Sequence, residues 1–200
     1  MIIGVPKEIK NNEKRVALSP YGADELIELG HTIYIEKDAG IGSGFSNSSY
    51  ADVGAKLVEN IEDIYSLSDL VVKVKEPQVS EVALIKENQL VFTFFHFAAD
   101  RKLTEGIIDS SSIAIAYETI EASDGSLPIL IPMSEVAGRM SIQNGAKCLE
   151  GSMGGKGKLL SGVPGVEPAV VTVLGGGIVG SNAAKLAAGL GAQVNILDIN

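Results

Sequence analysis

Apolar positions in this chain fall into two alternating patterns: short β-branched runs, and longer stretches in which apolar residues recur at helical spacing. That alternation predicts an α/β fold, a parallel sheet covered by helices. Ile2 to Val5 reads as a first strand. Ser19-Pro20 caps and starts a helix that Gly30 ends. Thr32 to Glu36 is a second strand. The Gly/Ser-rich stretch Ala39 to Ser49 reads as a loop, followed by helical segments near Tyr50 to Gly54 and at Ile61 to Leu67. Leu70 to Val74, closed by Glu76-Pro77, is a third strand, Gln89 to Phe94 a fourth and Ser112 to Ala116 a fifth. Ser80 to Lys86 and Asp100 to Asp109 supply helices between them.

Helical spacing resumes over Ser134 to Leu149 and runs into Gly151 to Gly165, a glycine-rich stretch that reads as a connection between domains. Beyond it lie a buried strand, Ala169 to Leu174, a helix, Ile178 to Leu190, and a strand, Gln193 to Leu197. The expected organisation is a β/α domain over 1–133, a connecting helix and glycine-rich segment over 134–167, and the first βαβ unit of a Rossmann dinucleotide-binding domain over 168–200.

That βαβ unit carries Gly175-Gly176-Gly177-Ile178-Val179-Gly180, a G-x-G-x-x-G match between strand and helix, with an acid, Asp198, about 20 residues further on at the end of the next strand. Gly175 permits the tight turn, Gly177 a close approach of a pyrophosphate, and Gly180 close packing of helix on sheet; the helix N-terminus stabilises the phosphate charge. Asp198 would accept hydrogen bonds from the adenosine ribose hydroxyls and repel a 2'-phosphate, which favours NAD over NADP. The bland alternative is a glycine turn that binds nothing. No G-x-x-x-x-G-K-[ST] match exists, which excludes a P-loop ATPase.

Composition narrows the partners. Sixteen Lys and Arg against 25 Asp and Glu give a net charge of -9, the wrong sign for nucleic acid or an anionic membrane surface. The longest uncharged stretch, Pro168 to Ala184, holds four glycines and falls short of a membrane span. Cys148 is the lone cysteine, so no internal disulfide forms, and a cytoplasmic protein is expected. Two histidines, His31 and His96, offer too few ligands for a metal site.

Ligands in open parallel sheets bind at the carboxyl ends of the strands. Arg15 lies on the loop after the first strand, Lys75 ends the third, His96 follows the fourth, and Tyr117-Glu118 follow the fifth. Each has a bland reading. Arg15 sits in a charge run that could be a solvated loop. Lys75 could be a strand-end charge on the same face as Lys73. His96, among Phe94, Phe95 and Phe97, could be packed in the core, although imidazole is the side chain whose ordinary pKa lies nearest neutrality.

Taken together, Gly4-Val5-Pro6-Lys7-Glu8, Arg15-Val16-Ala17-Leu18-Ser19-Pro20, Val72-Lys73-Val74-Lys75-Glu76-Pro77 and Thr93-Phe94-Phe95-His96-Phe97-Ala98 resemble the opening of alanine dehydrogenases. Pro132 to Arg139, Gly154 to Gly157 and Gly162 to Val166 extend the resemblance over the whole chain. It implies that Arg15 and Lys75 hold the substrate and His96 is the acid/base group. It also implies that Ser134 contacts the cofactor phosphates, that Gly175, Gly177, Ile178, Val179 and Gly180 form the phosphate turn, and that Asp198 takes the ribose of NAD. The implied reaction is reversible oxidative deamination of L-alanine to pyruvate and ammonia, in a homo-oligomer that the resemblance makes a hexamer. Family members also carry a second catalytic acid and the nicotinamide half of the nucleotide domain in a part not present in this chain, so these 200 residues are expected to be an N-terminal portion, inactive alone. Two rival readings remain open: the NAD-binding subunit of a proton-translocating transhydrogenase, and a catalytically silent NAD-binding module. Finding Arg15, Lys75 and His96 together favours the amino-acid enzyme.

Overall fold

Ile2–Val5 (β1) and Thr32–Glu36 (β2) pair in parallel, Ile3 against Ile33 and Val5 against Ile35. These four side chains are buried, and because successive residues of a strand point to opposite faces, they load one face of the sheet with branched apolar groups. In the computed structural model, which describes residues 1–199, Lys56–Val58 (β3), Leu70–Val72 (β4), Leu90–Thr93 (β5) and Ile113–Ala116 (β6) complete a six-stranded sheet. Its order is β3-β2-β1-β4-β5-β6, with every neighbouring pair parallel.

Parallel neighbours need crossovers, and short side-chain caps start them. Pro20–Glu28 (α1) follows Ser19, whose hydroxyl accepts the Gly22 N–H at 3.2 Å. Asn47–Asp52 (α2) follows Ser46, and Ile61–Leu67 (α3) follows Asn60, whose side chain accepts the Asp63 N–H. Val79–Val82 (α4) is one turn, and Arg101–Asp109 (α5) is capped by Asp100. The core divides into two clusters, as a sheet covered on both faces requires. One gathers Ala23 and Tyr50 around Ile3, Val5, Ile33 and Ile35; the other gathers Ile64, Tyr65, Leu103 and Ile107 around Val71 and Val91.

These elements form one compact unit, Met1–Ile120, and a second begins at Glu121. In the second unit Ile131–Leu149 (α6) packs against a βαβ unit of Val170–Leu174 (β7), Ile178–Gly189 (α7) and Gln193–Leu197 (β8), the two strands parallel. Gly138 lets the helices meet: a Cβ there would lie 2.3 Å from the Val179 carbonyl. The unit boundary after Ile120 differs from the expected division after residue 133. The glycine-rich stretch is built into the second unit, where Leu160 is buried with Ile142, Val173 and Ala187 and Val163 bridges to Val166.

Two expectations are corrected. Spacing predicts a helix over Ser134 to Leu149; α6 instead begins at Ile131, and the Ser134 N–H already donates to the Leu130 carbonyl at 3.1 Å. Pro132 does not prevent this, because a first-turn residue has no helical acceptor for an N–H to lose. Strand alternation also puts Lys73 and Lys75 on one face, but β4 stops at Val72 and the chain bends at Val74 and Lys75, so the two lysines part.

Candidate active site

Strand order reverses between β1 and β4. In an open parallel sheet the loops leaving the carboxyl ends diverge at such a reversal, and a crevice opens there. The loop after β1 carries Glu8, Glu13 and Arg15, and the segment after β4 carries Lys73 and Lys75. β5, beside β4, leads to His96, and β6 leads to Tyr117 and Glu118. Arg15, Lys75 and His96, widely spaced in sequence, thus follow three adjacent strands at one edge of the sheet.

The Arg15 loop is pinned from the β2 side. Ser43 Oγ accepts the Val16 N–H and donates to the Lys14 carbonyl, both at 3.2 Å. Only glycine fits at position 42, where a Cβ would lie 2.5 Å from that carbonyl. Arg15 is 52% exposed and already forked onto Glu13, with Nε to Oε1 at 2.8 Å and Nη2 to Oε2 at 2.6 Å. These charge-assisted bonds hold the Glu13 carboxyl down at about 2, with Lys75 adding to the effect. The Nη1–Nη2 edge of the guanidinium remains for a second planar anion. Arg15, Glu8 and Glu13 line an open cleft of about 550 Å³ together with Lys7, Asp38 and Gly42.

Lys73 has no such freedom. It is fully buried, 2.7 Å from Glu81 and 3.3 Å from Glu8, whose side chains are also buried. Glu8 accepts the N–H groups of both Val74 and Lys75 on one oxygen, at 2.6 and 3.4 Å. Consecutive amides of an extended strand point to opposite sides, so this shared acceptor records the bend. Burial raises the Glu8 carboxyl above its usual range, with Lys73 and the two amides opposing. A Lys10–Glu76 ion pair ties the same two segments together.

His96 is exposed, not packed in the core; the aromatic burial belongs to Phe94 and Phe95. Its ring stacks on Phe94, with centroids 6.0 Å apart and 16° between planes. Its backbone is left-handed, φ 52° and ψ 39°, a region that non-glycine residues seldom occupy and that histidine tolerates better than most. The Glu118 carboxylate holds that conformation by accepting the His96 N–H at 2.6 Å. Tyr117 packs edge-on against Phe92 and Phe94, and burial pushes its phenol up.

In the second unit the glycine turn has two separate demands. Gly175 has φ 96°, and a Cβ on Gly180 would lie 1.8 Å from the Gly175 carbonyl, so both are fixed by the fold itself. Gly177, at the start of α7, is different: a Cβ there meets nothing within 4 Å. The space beside the turn is what a close-lying pyrophosphate needs, and the first-turn amides at Ile178 and Val179, ahead of the helix's own bonding, are anion donors. Asp198 accepts the Gly176 N–H and lines a recess of about 500 Å³ with Gly175 and Leu197. Ser134 is half-buried in the opening turns of α6. These residues fit a dinucleotide. Among the described residues no three His, Cys, Asp or Glu side chains gather to hold a metal ion, and no helix is long and apolar enough to cross a membrane.

Glu8, Lys73, Glu81 and Thr93 belong to this edge and were not singled out by spacing. Glu8 lies in a charge run indistinguishable from a solvated loop, and the only sequence signal for Lys73 is an ammonium inside an apolar strand pattern.

Comparison with known proteins agrees over the whole chain. Residues 4–137 match the family model described as alanine dehydrogenase/PNT, N-terminal domain, and residues 141–200 match its C-terminal domain counterpart. An alanine dehydrogenase of Methanococcus maripaludis is 54% identical over 200 residues, all of this chain and 54% of that protein. One from Staphylococcus epidermidis strain RP62A is 52% identical with the same coverages, 100% and 54%. The chain therefore spans about half the length of the curated relatives it matches. A solved L-alanine dehydrogenase superposes with a TM-score of 0.94 at 55% identity, covering 100% of this chain and 55% of that one. A transhydrogenase from Sinorhizobium meliloti superposes with a TM-score of 0.83 at 23% identity, covering 100% and 57%, a likeness of fold.

Proposed function

This chain belongs to the alanine dehydrogenase/PNT family, and from that premise we propose that the protein carrying it interconverts L-alanine with pyruvate and ammonia, using NAD. The observation that supports this most is the placement of Arg15 and Lys75 on the two sides of the strand-order reversal, with His96 one strand further on. Arg15 takes the substrate carboxylate on its free guanidinium edge, while Glu13 holds the other edge and fixes the plane. Lys75, a point charge, polarises the keto oxygen. His96 accepts a proton from water as it adds to the imine and returns it in amination. Hydride acceptance from the α-carbon is the chemistry that bound NAD would supply. Gly177 and the α7 amides would hold its pyrophosphate, Asp198 its ribose, and Ser134 would contact the phosphates. A cytoplasmic homo-oligomer, hexameric as the resemblance implies, completes the reading.

The direct test is NADH-dependent amination of pyruvate by the protein that carries this chain, against hydride exchange between two nucleotides. Exchange without amination would favour the transhydrogenase reading; NAD binding with neither activity would favour a silent module. Two further results are expected. Arg15→Lys loses the planar fork and raises the apparent pyruvate constant about tenfold or more; unchanged pyruvate saturation would contradict the assignment. Gly177→Ala keeps the thermal midpoint but weakens NADH binding, because its Cβ enters only the space left for the pyrophosphate, whereas Gly180→Ala loses both. NADH titration alongside thermal unfolding separates the two, and an unaltered NADH affinity in Gly177→Ala would remove that turn from the cofactor site.

A further inference from the structure

Lys75 stands beyond the end of β4, yet its backbone is held at both its N–H and its carbonyl. Glu8 holds the amide side, through the Val74 N–H at 2.6 Å and the Lys75 N–H at 3.4 Å. On the carbonyl side, Thr93 Oγ1 donates to the Lys75 oxygen at 2.8 Å. The β4–β5 ladder is failing at this point: the Lys73 N–H reaches Phe92 at 3.0 Å, but the Phe94 N–H reaches Val74 only at 3.4 Å. The threonine hydroxyl extends the pairing by one residue where the backbone no longer does.

Burial sharpens the point. Thr93 is 0% exposed, in a position where valine has nearly the same shape and equal preference for a strand. A buried hydroxyl is unfavourable unless bonded, so packing alone gives no reason for it; the bond to Lys75 does. Glu8 is itself anchored, by Lys73 at 3.3 Å. The grip thus rests on side chains that cannot swing into solvent, while Lys75 is only half-buried.

We propose that Thr93, acting opposite Glu8, is a positioning residue that sets where the Lys75 ammonium stands at the carboxyl edge of the sheet. The proposal rests on the reading of Lys75 as a substrate-holding group. Thr93→Val removes the donor at constant volume and leaves the Lys75 carbonyl free to rotate, so the ammonium shifts from the keto oxygen. Small misplacements of such a group are expensive in rate and saturation.

The test is a double-mutant cycle in NADH-dependent pyruvate amination, using Thr93→Val, Lys75→Gln and both together, with Thr93→Ser as the conservative variant. Thr93→Val is expected to raise the pyruvate KM roughly tenfold while leaving the NADH KM unchanged. Thr93→Ser should restore it, and Thr93→Val should add less than about twofold in the Lys75→Gln background. Thr93→Ala carries the same expectation should the valine variant fold poorly. Equal effects of Thr93→Val with and without Lys75, or no rescue by serine, would overturn the positioning role. An impaired Lys75→Gln beside an unimpaired Thr93→Val would overturn it alone; ordinary pyruvate kinetics in Lys75→Gln would instead overturn the role of Lys75, and the proposal with it.

Discussion

Replacing His96 by alanine is expected to lower pyruvate amination by at least about a hundredfold, the scale of general acid–base catalysis, with NADH affinity little changed. The imidazole is exposed at the strand edge, and its ring is steadied on Phe94. Its backbone, however, is left-handed and gripped by Glu118, so alanine there also meets a conformational cost on the order of 1 kcal/mol. His96→Asn provides the control, because asparagine accepts that backbone readily. Both variants should lose at least about a hundredfold in turnover while only alanine loses stability, a separation that steady-state kinetics and thermal unfolding read together. Turnover within a few-fold of the parent in either variant would take His96 out of the chemistry.

A Lys73→Met variant is expected to lose about 3–5 kcal/mol of stability, the cost of breaking a buried ion pair by removing one partner. Glu8 and Glu81 would then face each other as buried carboxylates with their ammonium gone. For a chain of 200 residues that corresponds to a fall of roughly 6–20 °C in Tm. The loss should shrink in mild acid. A carboxyl whose folded pKa lies above its unfolded one takes up a proton on folding, so its burden is present at neutral pH and relieved as pH falls through the raised value. Glu8 is raised by burial even with Lys73 in place. Circular dichroism melts at pH 7 and pH 5 check this; an unshifted midpoint at pH 7 would show that the cluster does not hold the fold.

Where one face of an element is buried, its bounds were legible in the residues. Thr32–Glu36 and Ile61–Leu67 coincide with the predicted elements because alternation and capping act over neighbouring residues. β3 was not legible: Lys56–Val58 is three residues long, two of them exposed, and carries no period. The start of α6 was hidden by Pro132, which reads as a breaker although the first turn accepts it. At the site, Arg15, Lys75 and His96 were visible as polar groups at strand ends, but the reversal that sets Arg15 and Lys75 across from each other is a property of strand order. Lys73, Glu8 and Thr93 escaped for a related reason: their meaning lies in contacts across the sheet, which no local pattern encodes.

The site groups differ in how firmly they are tethered. The imidazole and the ammonium leave their strands almost at once, whereas the guanidinium rides well down a loop that Ser43 and Gly42 steady from outside. Under the proposed roles, insertions or deletions in that loop are expected to change which carboxylates are admitted while leaving the imidazole in place, and laboratory evolution toward longer amino acids would do best to begin there.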